Sequence, residues 1–139
     1  MAVISRRLQG DLGELSAIDW LVAQGHAIYL PLGHSPDCDL VADAAGALLR
    51  VQVKTSTVYR KRRWEITVCT RGGNQSWNGL VKRLDHSRID YLFVLVADGR
   101  RWFIPAKALG GGCGILLGGP KYADFEVDHG RPLPSCEAG

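Results

Sequence analysis

Hydrophobic residues recur at intervals of three and four in the first part of the chain, with polar residues between them. The series consists of Leu8, Leu12, Leu15, Ile18, Leu21 and Val22. An α-helix has about 3.6 residues per turn, so this spacing places the apolar side chains on one face and predicts a helix over residues 8–24. Gly25 follows directly, and glycine readily adopts the left-handed conformation that ends many helices.

Downstream, shorter hydrophobic stretches separated by turn residues predict β-strands. The predicted strands are residues 26–30, 39–43, 47–54, 64–70, 91–97, 101–104 and 125–127. Ala45-Gly46 forms a tight turn between the second and third of these strands, and the fourth is predicted to complete a three-stranded meander with them. The run from Tyr91 to Ala97 is continuously apolar, as expected of a central strand covered on both faces.

The segments between these elements are predicted to be irregular. Loops are predicted where Pro, Gly and Asn concentrate, at residues 31–38, 71–79 and 110–119. Short helical segments are predicted at 79–86 and 107–109, and the tail at residues 130–139 is predicted to be loose. A chain of 139 residues suits one domain. We therefore predict a single α/β domain over residues 1–139, with a mixed β-sheet, a central meander and flanking helices.

The composition narrows the class of protein. Hydrophobic residues make up 46% of the chain and charged residues 22%, which is typical of a globular protein and not of a disordered one. No apolar run approaches the roughly 18 residues of a membrane span, and the first residues lack the apolar region of a signal peptide. We therefore expect a cytoplasmic protein without a membrane partner. The glycine clusters lack the Lys-Ser/Thr of a phosphate-binding loop, so no nucleotide cofactor is expected.

The cysteines and histidines do not predict a metal site. Cys38, Cys69, Cys113 and Cys136 form no closely spaced pair, and the four histidines are scattered. In a cytoplasmic protein we expect the four cysteines to be reduced thiols.

The formal net charge of +3 conceals an uneven distribution. Between Arg50 and Arg88 there are ten Lys or Arg residues and two acids, a net charge of +8, whereas the remainder carries seven basic and twelve acidic residues, a net charge of −5. One segment is therefore strongly positive within a mildly acidic chain.

A cluster of polar residues lies on the predicted β-hairpin. Side chains alternate across a strand, so Gln52 and Lys54 share one face of strand 47–54, and the short turn places Asp39 near both. A carboxylate and an amide oxygen can bind Mg²⁺, and a lysine can orient or deprotonate a water molecule. The alternative interpretation is an ordinary solvated face of the sheet.

Glu14 lies on the apolar face of the predicted helix, with Ile18 and Leu21. A buried glutamate is rare unless it is paired or binds a ligand. A helix packed over the sheet can direct Glu14 at the same polar cluster. The alternative is a capping role near the helix start, where acids are favourable.

The order and spacing of these motifs resemble the PD-(D/E)XK nuclease superfamily. The relevant segments are Gly10-Asp11-Leu12-Gly13-Glu14, Pro36-Asp37-Cys38-Asp39-Leu40-Val41, Val51-Gln52-Val53-Lys54-Thr55, Ile89-Asp90-Tyr91-Leu92-Phe93 and Trp102-Phe103-Ile104-Pro105. The resemblance covers about residues 8–127. Because Gln52 stands where the motif has Asp or Glu, the sequence is most similar to the small homing endonucleases of bacterial group I introns, which use a Gln-x-Lys form.

The resemblance implies a restriction-endonuclease-like fold and assigns a role to each site residue. Asp39 would be the main metal-binding carboxylate, Gln52 would replace the second acid and the Val53 carbonyl would add a ligand. Lys54 would be the catalytic lysine and Glu14 the helix acid. The literal Pro-Asp is Pro36-Asp37, but Asp39 leads directly into the apolar strand and is preferred. The implied cofactor is Mg²⁺, with Mn²⁺ as an alternative.

Basic and amide residues follow the predicted catalytic strand. Phosphate contacts from Lys and Arg provide the salt-dependent part of DNA affinity, and Arg, Asn and Gln can read base edges. The candidate DNA-binding residues are Arg60, Lys61, Arg62, Arg63, Arg71, Asn74, Gln75, Asn78, Lys82 and Arg83. An ordinary solvated, charged loop is the alternative for the run Arg60 to Arg63.

The function predicted from the sequence is a metal-dependent DNA endonuclease that hydrolyses phosphodiester bonds. One domain offers one site, so a double-strand cut requires a homodimer or homotetramer. Two alternatives remain open at this point. One is a structure-selective nuclease of the Holliday-junction resolvase type, and the other is a catalytically inactive DNA-binding module on the same fold.

Overall fold

The computed structural model describes residues 4–33, 37–71, 81–82 and 87–134. Its first element is helix α1, Arg6–Ala23. The strands, numbered in chain order, are β1 Ala27–Tyr29, β2 Leu40–Ala44, β3 Ala47–Ser56, β4 Tyr59–Arg60, β5 Arg63–Thr67, β6 Thr70–Arg71, β7 Val81–Lys82, β8 Tyr91–Val96, β9 Arg101–Pro105, β10 Gly114–Leu117 and β11 Glu126–Val127. Short 3-10 helices lie at Ala106–Ala108 and Ala123–Phe125.

Six strands form the main sheet, in the order β1-β2-β3-β8-β9-β11. Strands β3 and β8 pair in parallel, whereas the other described neighbours in this sheet pair antiparallel. Strands β10, β5 and β4 form a second, three-stranded sheet, and β6 pairs with β7. The strand that carries the polar cluster, β3, therefore lies inside the main sheet, between β2 and β8.

Helix α1 covers one face of the main sheet. It begins two residues before the predicted start because the hydroxyl of Ser5 accepts a hydrogen bond from the N–H of Leu8, at 3.1 Å, and so caps the helix. Gly25 follows its end with a φ of +90°, the conformation predicted for a glycine in this position. The buried residues of the helix are Gly13, Ala17 and Leu21. No helix in the described part of the chain is long and apolar enough to cross a membrane.

Successive side chains of β8 belong to two hydrophobic clusters on opposite faces of the main sheet. Phe93 and Leu95 pack with α1, whereas Leu92 and Val94 pack with the second sheet. All four are buried. This arrangement confirms the prediction that the continuously apolar run forms a strand covered on both faces.

The predicted α/β class, with a mixed sheet that contains a meander, is confirmed, but the meander consists of other strands than predicted. Strands β1, β2 and β3 are successive antiparallel neighbours. The segment predicted as the third strand, residues 64–70, contributes β5 to the second sheet instead. Strand β8 takes the free edge of β3, where helix α1 covers one of its faces and the second sheet covers the other.

Two segments predicted to lack strands contain short ones. Strand β10 lies within the glycine-rich stretch 110–119, where buried Ile115 and Leu117 alternate with exposed neighbours and pair with β5. The glycines flank this strand, and the alternation over four residues was too short to stand out from them. Within the predicted helix 79–86, the described residues form strand β7, and 83–86 lie outside the described residues.

The start of the predicted loose tail is held against the sheet. The N–H of Gly130 donates to the carbonyl of Gly99 at 2.8 Å, and the N–H of Leu133 donates to the carbonyl of Ala97 at 3.0 Å. Leu133 is buried in the helix-side cluster. The prediction is therefore wrong for residues 130–134, because one apolar residue and two backbone hydrogen bonds fix them, and residues 135–139 lie outside the described residues.

The prediction of four reduced thiols is wrong for two of them. Cys69 and Cys113 form a disulfide across 44 residues of sequence. The pairing of β5 with β10 brings the two together, and the carbonyl of Cys113 accepts a hydrogen bond from the N–H of Val68 at 2.8 Å. Cys38 is partly buried and is not in a disulfide, and Cys136 lies outside the described residues.

Candidate active site

The hairpin of β2 and β3 brings Asp39 next to β3. The register of the two strands ends with Leu40 paired to Val51, and Asp39 immediately precedes that pair. The N–H of Asp39 donates to the Val51 carbonyl at 2.9 Å. The carboxylate of Asp39 also accepts a hydrogen bond from the N–H of Val53 at 2.7 Å. These two bonds fix the acid against the middle of β3.

Gln52 is buried, with 9% of its surface exposed, and its side-chain oxygen has no hydrogen-bond partner in the described part of the chain. Gln52 pairs in register with Leu92, which belongs to the cluster on the second-sheet side. A buried acceptor without a partner is unfavourable by about 1–3 kcal/mol. The solvated sheet face considered from the sequence is therefore wrong for Gln52, because the second sheet covers this face.

Lys54 lies two residues further along β3, on the same face as Gln52. Its side chain is partly buried, and burial lowers the pKa of the ammonium group, since the charged form loses hydration. The carboxylate of Asp39 acts in the opposite direction and raises this pKa. Lys54 and Asp39 therefore lie within electrostatic reach of each other.

Glu14 lies in the middle of helix α1, away from the capping position considered for it. The helix packs against the face of β3 that carries Val53 and Thr55, opposite to the face of Gln52 and Lys54. The expectation that the helix directs Glu14 at the whole polar cluster is therefore corrected: it brings Glu14 near Asp39. Partial burial raises the pKa of its carboxyl group, and the negative charges of Asp39 and Asp11 raise it further. The close packing of the helix depends on Gly13. A Cβ on Gly13 would lie 2.5 Å from Cγ2 of Thr55, on β3. The glycine thus lets the helix approach β3 closely and brings Glu14 into the field of Asp39.

The residues expected to bind a metal are all oxygen donors. They are two carboxylates, one amide oxygen and one backbone carbonyl, a set suited to Mg²⁺. The N–H of Val53 points to the Asp39 side of β3, and its carbonyl points the same way because both groups of a strand residue face one edge. Among the described residues, no three His, Cys, Asp or Glu side chains form a metal site. A metal would therefore depend on Gln52, whose orphaned oxygen suits that role.

Two ion pairs beside the site were not predicted. Arg88 donates to the carboxylate of Asp37 at 2.8 Å. Because Asp37 is engaged in this ion pair, Asp39 is favoured as the metal-binding acid. The carboxylate of Asp90 accepts from the backbone N–H of Arg50 at 2.8 Å and from its side chain at 3.2 Å. These hydrogen bonds lower the pKa of Asp90 and join the start of β8 to β3. The position of Asp90 just before the apolar strand was the available signal.

A buried serine at the end of β3 holds the hairpin β4–β5. The hydroxyl of Ser56 donates to the carbonyl of Glu65 at 2.6 Å and accepts from the N–H of Val58 at 3.0 Å. Ser56 is two residues beyond Lys54, so the basic hairpin is attached directly to the strand of the site. No sequence pattern distinguished this serine from an ordinary surface residue.

The candidate DNA-binding residues divide into three groups. Arg60 to Arg63 form the tip of the β4–β5 hairpin, where Arg60 lies 3.9 Å from Glu65. Arg71 and Lys82 lie on the small β6–β7 ladder. The remaining candidates, Asn74, Gln75, Asn78 and Arg83, lie outside the described residues.

Comparison with known proteins agrees with the resemblance noted in the sequence. A solved structure of a bacterial homing endonuclease, I-Ssp6803I, matches with a TM-score of 0.67 and 23% sequence identity, and the match covers 88% of this chain and 87% of that chain. No curated protein matches the sequence significantly. A family model of PD-(D/E)XK endonucleases matches residues 4–112. The predicted superfamily and its restriction-endonuclease-like fold are confirmed, and the chain belongs to the PD-(D/E)XK endonuclease family.

Proposed function

We propose that this endonuclease is a metal-dependent enzyme that hydrolyses DNA phosphodiester bonds at the site formed by Glu14, Asp39, Gln52 and Lys54. Family membership supports a nuclease. The observation that carries the finer proposal is the buried oxygen of Gln52, which has no partner in the described part of the chain. It lies on the same face of β3 as Lys54 and next to Val53, whose N–H donates to Asp39. An inert structural core has no use for such a group, whereas a cation satisfies it.

The metal is proposed to bind to oxygen atoms of Asp39, Gln52 and Val53, with Glu14 as a direct or water-mediated ligand. The bound Mg²⁺ or Mn²⁺ would supply charge neutralisation at the phosphate and a water molecule of lowered pKa. Gln52 lacks the negative charge of the usual second acid. Metal affinity therefore depends more strongly on Glu14 than in a site with three acids.

Lys54 is proposed to orient the attacking water and to exchange a proton with it at Nζ. Burial lowers the pKa of its amine, which brings that proton exchange closer to neutral pH. The nearby charge of Asp39 opposes this change and keeps the side chain directed to the site. As the water adds to phosphorus, the bond to the leaving sugar oxygen breaks and that oxygen takes up a proton.

DNA is the proposed substrate, held through phosphate contacts along the positive segment. The tip Arg60 to Arg63 is proposed to grip the backbone, together with Arg71, Lys82 and Arg83. Asn74, Gln75 and Asn78 are proposed to contact bases.

The structural likeness to a homing endonuclease supports action on duplex DNA at a defined site. Because one chain carries one site, we propose a homodimer or homotetramer for cleavage of both strands.

A cleavage assay tests the proposal. The purified protein, Lys54→Ala and the control Lys107→Ala are incubated with plasmid, random-sequence duplex and a four-way junction, each in Mg²⁺ and in EDTA. Lys107 is an exposed lysine on the 3-10 helix after β9 and is remote from the site along the chain. We expect cleavage by the wild type and Lys107→Ala in Mg²⁺, and a loss of at least about a hundredfold in Lys54→Ala.

Each other outcome has a defined meaning. Cleavage that persists in EDTA, or that Lys54→Ala leaves unchanged, contradicts the mechanism. Preference for the four-way junction over duplexes of many sequences identifies a junction resolvase instead. Binding without cleavage in either Mg²⁺ or Mn²⁺ identifies an inactive DNA-binding module.

A further inference from the structure

The turn between β4 and β5 contains two residues in a conformation that side chains disfavour. Arg60 pairs with Arg63, so Lys61 and Arg62 are the two central residues of a tight hairpin turn. Their φ angles are +51° and +64°. Positive φ at both central positions is the type I′ requirement, which natural hairpins usually meet with Asn-Gly or Gly-Gly. In Lys and Arg, the Cβ atom crowds the following carbonyl in this conformation.

The other two-residue hairpin turn among the described residues relieves the same crowding at one of its two positions. The β2–β3 turn is Ala45-Gly46, in which Ala45 has a φ of +53° and glycine occupies the position where φ is +92°. The carboxylate of Asp43 also accepts a hydrogen bond from the N–H of Gly46 at 2.8 Å. The β4–β5 turn has no glycine. The side chains of Lys61 and Arg62 are exposed and make no hydrogen bond or ion pair within the described chain.

Side-chain contacts hold the strands that carry the strained turn in place. Ser56 bonds both strands of the hairpin region through Glu65 and Val58. The rings of Tyr59 and Trp64 are in contact, with centroids 4.7 Å apart. These contacts hold the tip in one place relative to β3.

A second contact secures the same strands from the side. A Cβ on Gly119 would lie 2.7 Å from Cζ of Arg63, so the guanidinium packs tightly against that glycine. The guanidinium Nη1 of Arg63 also donates to the backbone carbonyl of Arg62 at 3.0 Å. The strain at the tip is therefore not relieved by movement of the hairpin as a whole.

We propose that Lys61 and Arg62 form a rigid phosphate clamp, in which charge is retained at the turn at the expense of hairpin stability. Strain that side-chain contacts do not explain is typical of sites that bind a ligand. Two adjacent cations on a fixed tip match the repeating anions of a nucleic-acid backbone. The inference rests on the proposed function, because it takes DNA as the partner of this surface.

The test uses three variants and measures both stability and DNA affinity in EDTA. Lys61→Asn with Arg62→Gly installs the preferred turn and removes both charges. Lys61→Gln with Arg62→Gln removes the charges but keeps the strain. Ala45→Gly is the matched control, because it relieves positive φ at the other turn without a change of charge. Affinity for a short random-sequence duplex is measured over a range of salt concentrations.

The variant with the Asn-Gly turn should gain thermal stability and lose DNA affinity. The Asn-Gly turn should raise Tm by roughly 3–6 °C. It should also weaken DNA binding about tenfold or more and make the salt slope shallower by about 1.8, the value for two phosphate contacts. The double Gln variant should lose the same affinity without a gain in Tm. Ala45→Gly should gain stability with unchanged affinity.

The inference is overturned if the Asn-Gly turn leaves Tm unchanged or lower, or if either neutral variant binds DNA as tightly as the wild type. These failures differ from failure of the proposed function. A wild type that neither binds nor cuts DNA defeats the proposed function itself. A wild type that cuts normally beside turn variants of equal affinity defeats only the clamp.

Discussion

Gln52 is buried, and its amide oxygen has no partner in the described part of the chain. Stability without a ligand and function therefore place opposite demands on this residue. The unpartnered oxygen reduces the free energy of unfolding in the absence of a ligand. A bound metal would recover that loss, since a ligand that binds only the folded state stabilises it.

We predict that Gln52→Met stabilises the protein in EDTA by about 1 kcal/mol, because it removes the unsatisfied acceptor and keeps the side-chain volume. The same variant should lose the increase in Tm that Mg²⁺ gives the wild type, and its cleavage activity. Thermal unfolding with and without Mg²⁺ measures both effects.

Gln24→Met serves as the control for this prediction, because Gln24 is exposed at the end of α1. Its stability should change by no more than about 0.5 kcal/mol in either solution. If Gln52→Met instead destabilises the protein in EDTA, the amide contributes to folding and its assignment as a metal ligand is contradicted.

Among the elements, helix α1 is positioned by the absence of a side chain at Gly13. Glycine inside a helix is less favourable than alanine by about 1 kcal/mol. At this position alanine has no room, because its Cβ would lie 2.5 Å from the methyl group of Thr55 and 3.3 Å from Cγ1 of Val53. Glycine is therefore the better residue here despite its lower helix propensity. Thr55 has little room to yield, since it is β-branched and its hydroxyl accepts a hydrogen bond from Gln9 at 2.8 Å.

We predict that Gly13→Ala lowers the free energy of unfolding by about 1–2 kcal/mol, as overpacking exceeds the gain in helix propensity. It should also reduce cleavage, because the displaced helix moves Glu14 away from Asp39. Urea unfolding and initial cleavage rates measure the two effects.

Gly10→Ala is the matched control on the same helix, since a Cβ there meets nothing within 4 Å. It should stabilise the protein by up to about 1 kcal/mol and leave cleavage unchanged. Thr55→Ser removes the obstructing methyl group and retains the hydroxyl, so it should restore Gly13→Ala. Equal effects of the two alanine substitutions would contradict the close-packing argument.

The edge strand β11 is attached to the sheet by an ion pair whose effect depends on pH. The carboxylate of Glu126 accepts two hydrogen bonds from Arg100, each 2.9 Å, and these bonds lower its pKa below the ordinary 4.5. The stabilisation is therefore complete above pH 4.5 and is lost as the pH falls through the lowered value. We predict that Glu126→Gln loses about 1 kcal/mol at pH 7 and unfolds with a shallower acid dependence.

Asp124→Asn is the comparison for that acid dependence, because Asp124 is exposed and makes no ion pair in the described part of the chain. Urea unfolding between pH 3 and 7 should give it nearly the wild-type curve. If the free energy of unfolding of Glu126→Gln fell with decreasing pH as steeply as that of the wild type, another group would control this pH dependence.

For the whole molecule, local patterns predicted the site better than the packing around it. A short turn at Ala45-Gly46 fixes the register of the hairpin, so the approach of Asp39 to β3 followed from the sequence. The helix period gave the helix and the burial of Leu21, but Leu8, Leu15 and Val22 of the predicted apolar face are exposed. The buried face is formed by Gly13, Ala17 and Leu21. The partners that cover Gln52 are distant in sequence, and the strand that pairs with β5 lies among glycines. No local signal encodes such long-range pairing, and the Cys69–Cys113 disulfide was missed for the same reason.

The charge of the whole chain is also clearer once the contacts are known. Within the positive segment, Arg50 and Arg88 form ion pairs with Asp90 and Asp37. Lys54 lies in the candidate site. Lys61 and Arg62 at the hairpin tip are exposed and lie outside the described ion pairs, so a net charge of +3 is compatible with a strong local affinity for phosphate.

One site per chain implies that cutting both strands of a plasmid needs two active subunits, and mixing of active and inactive chains tests this. Lys54→Ala is added in increasing excess to a constant amount of wild type, after conditions that allow subunits to exchange. If an oligomer acts, most of the assemblies that contain a wild-type chain then hold only one active site, so linear product should fall while nicked product rises. If single chains act, inactive protein only competes for DNA, and both products should fall together. That second result would contradict the proposed homo-oligomer.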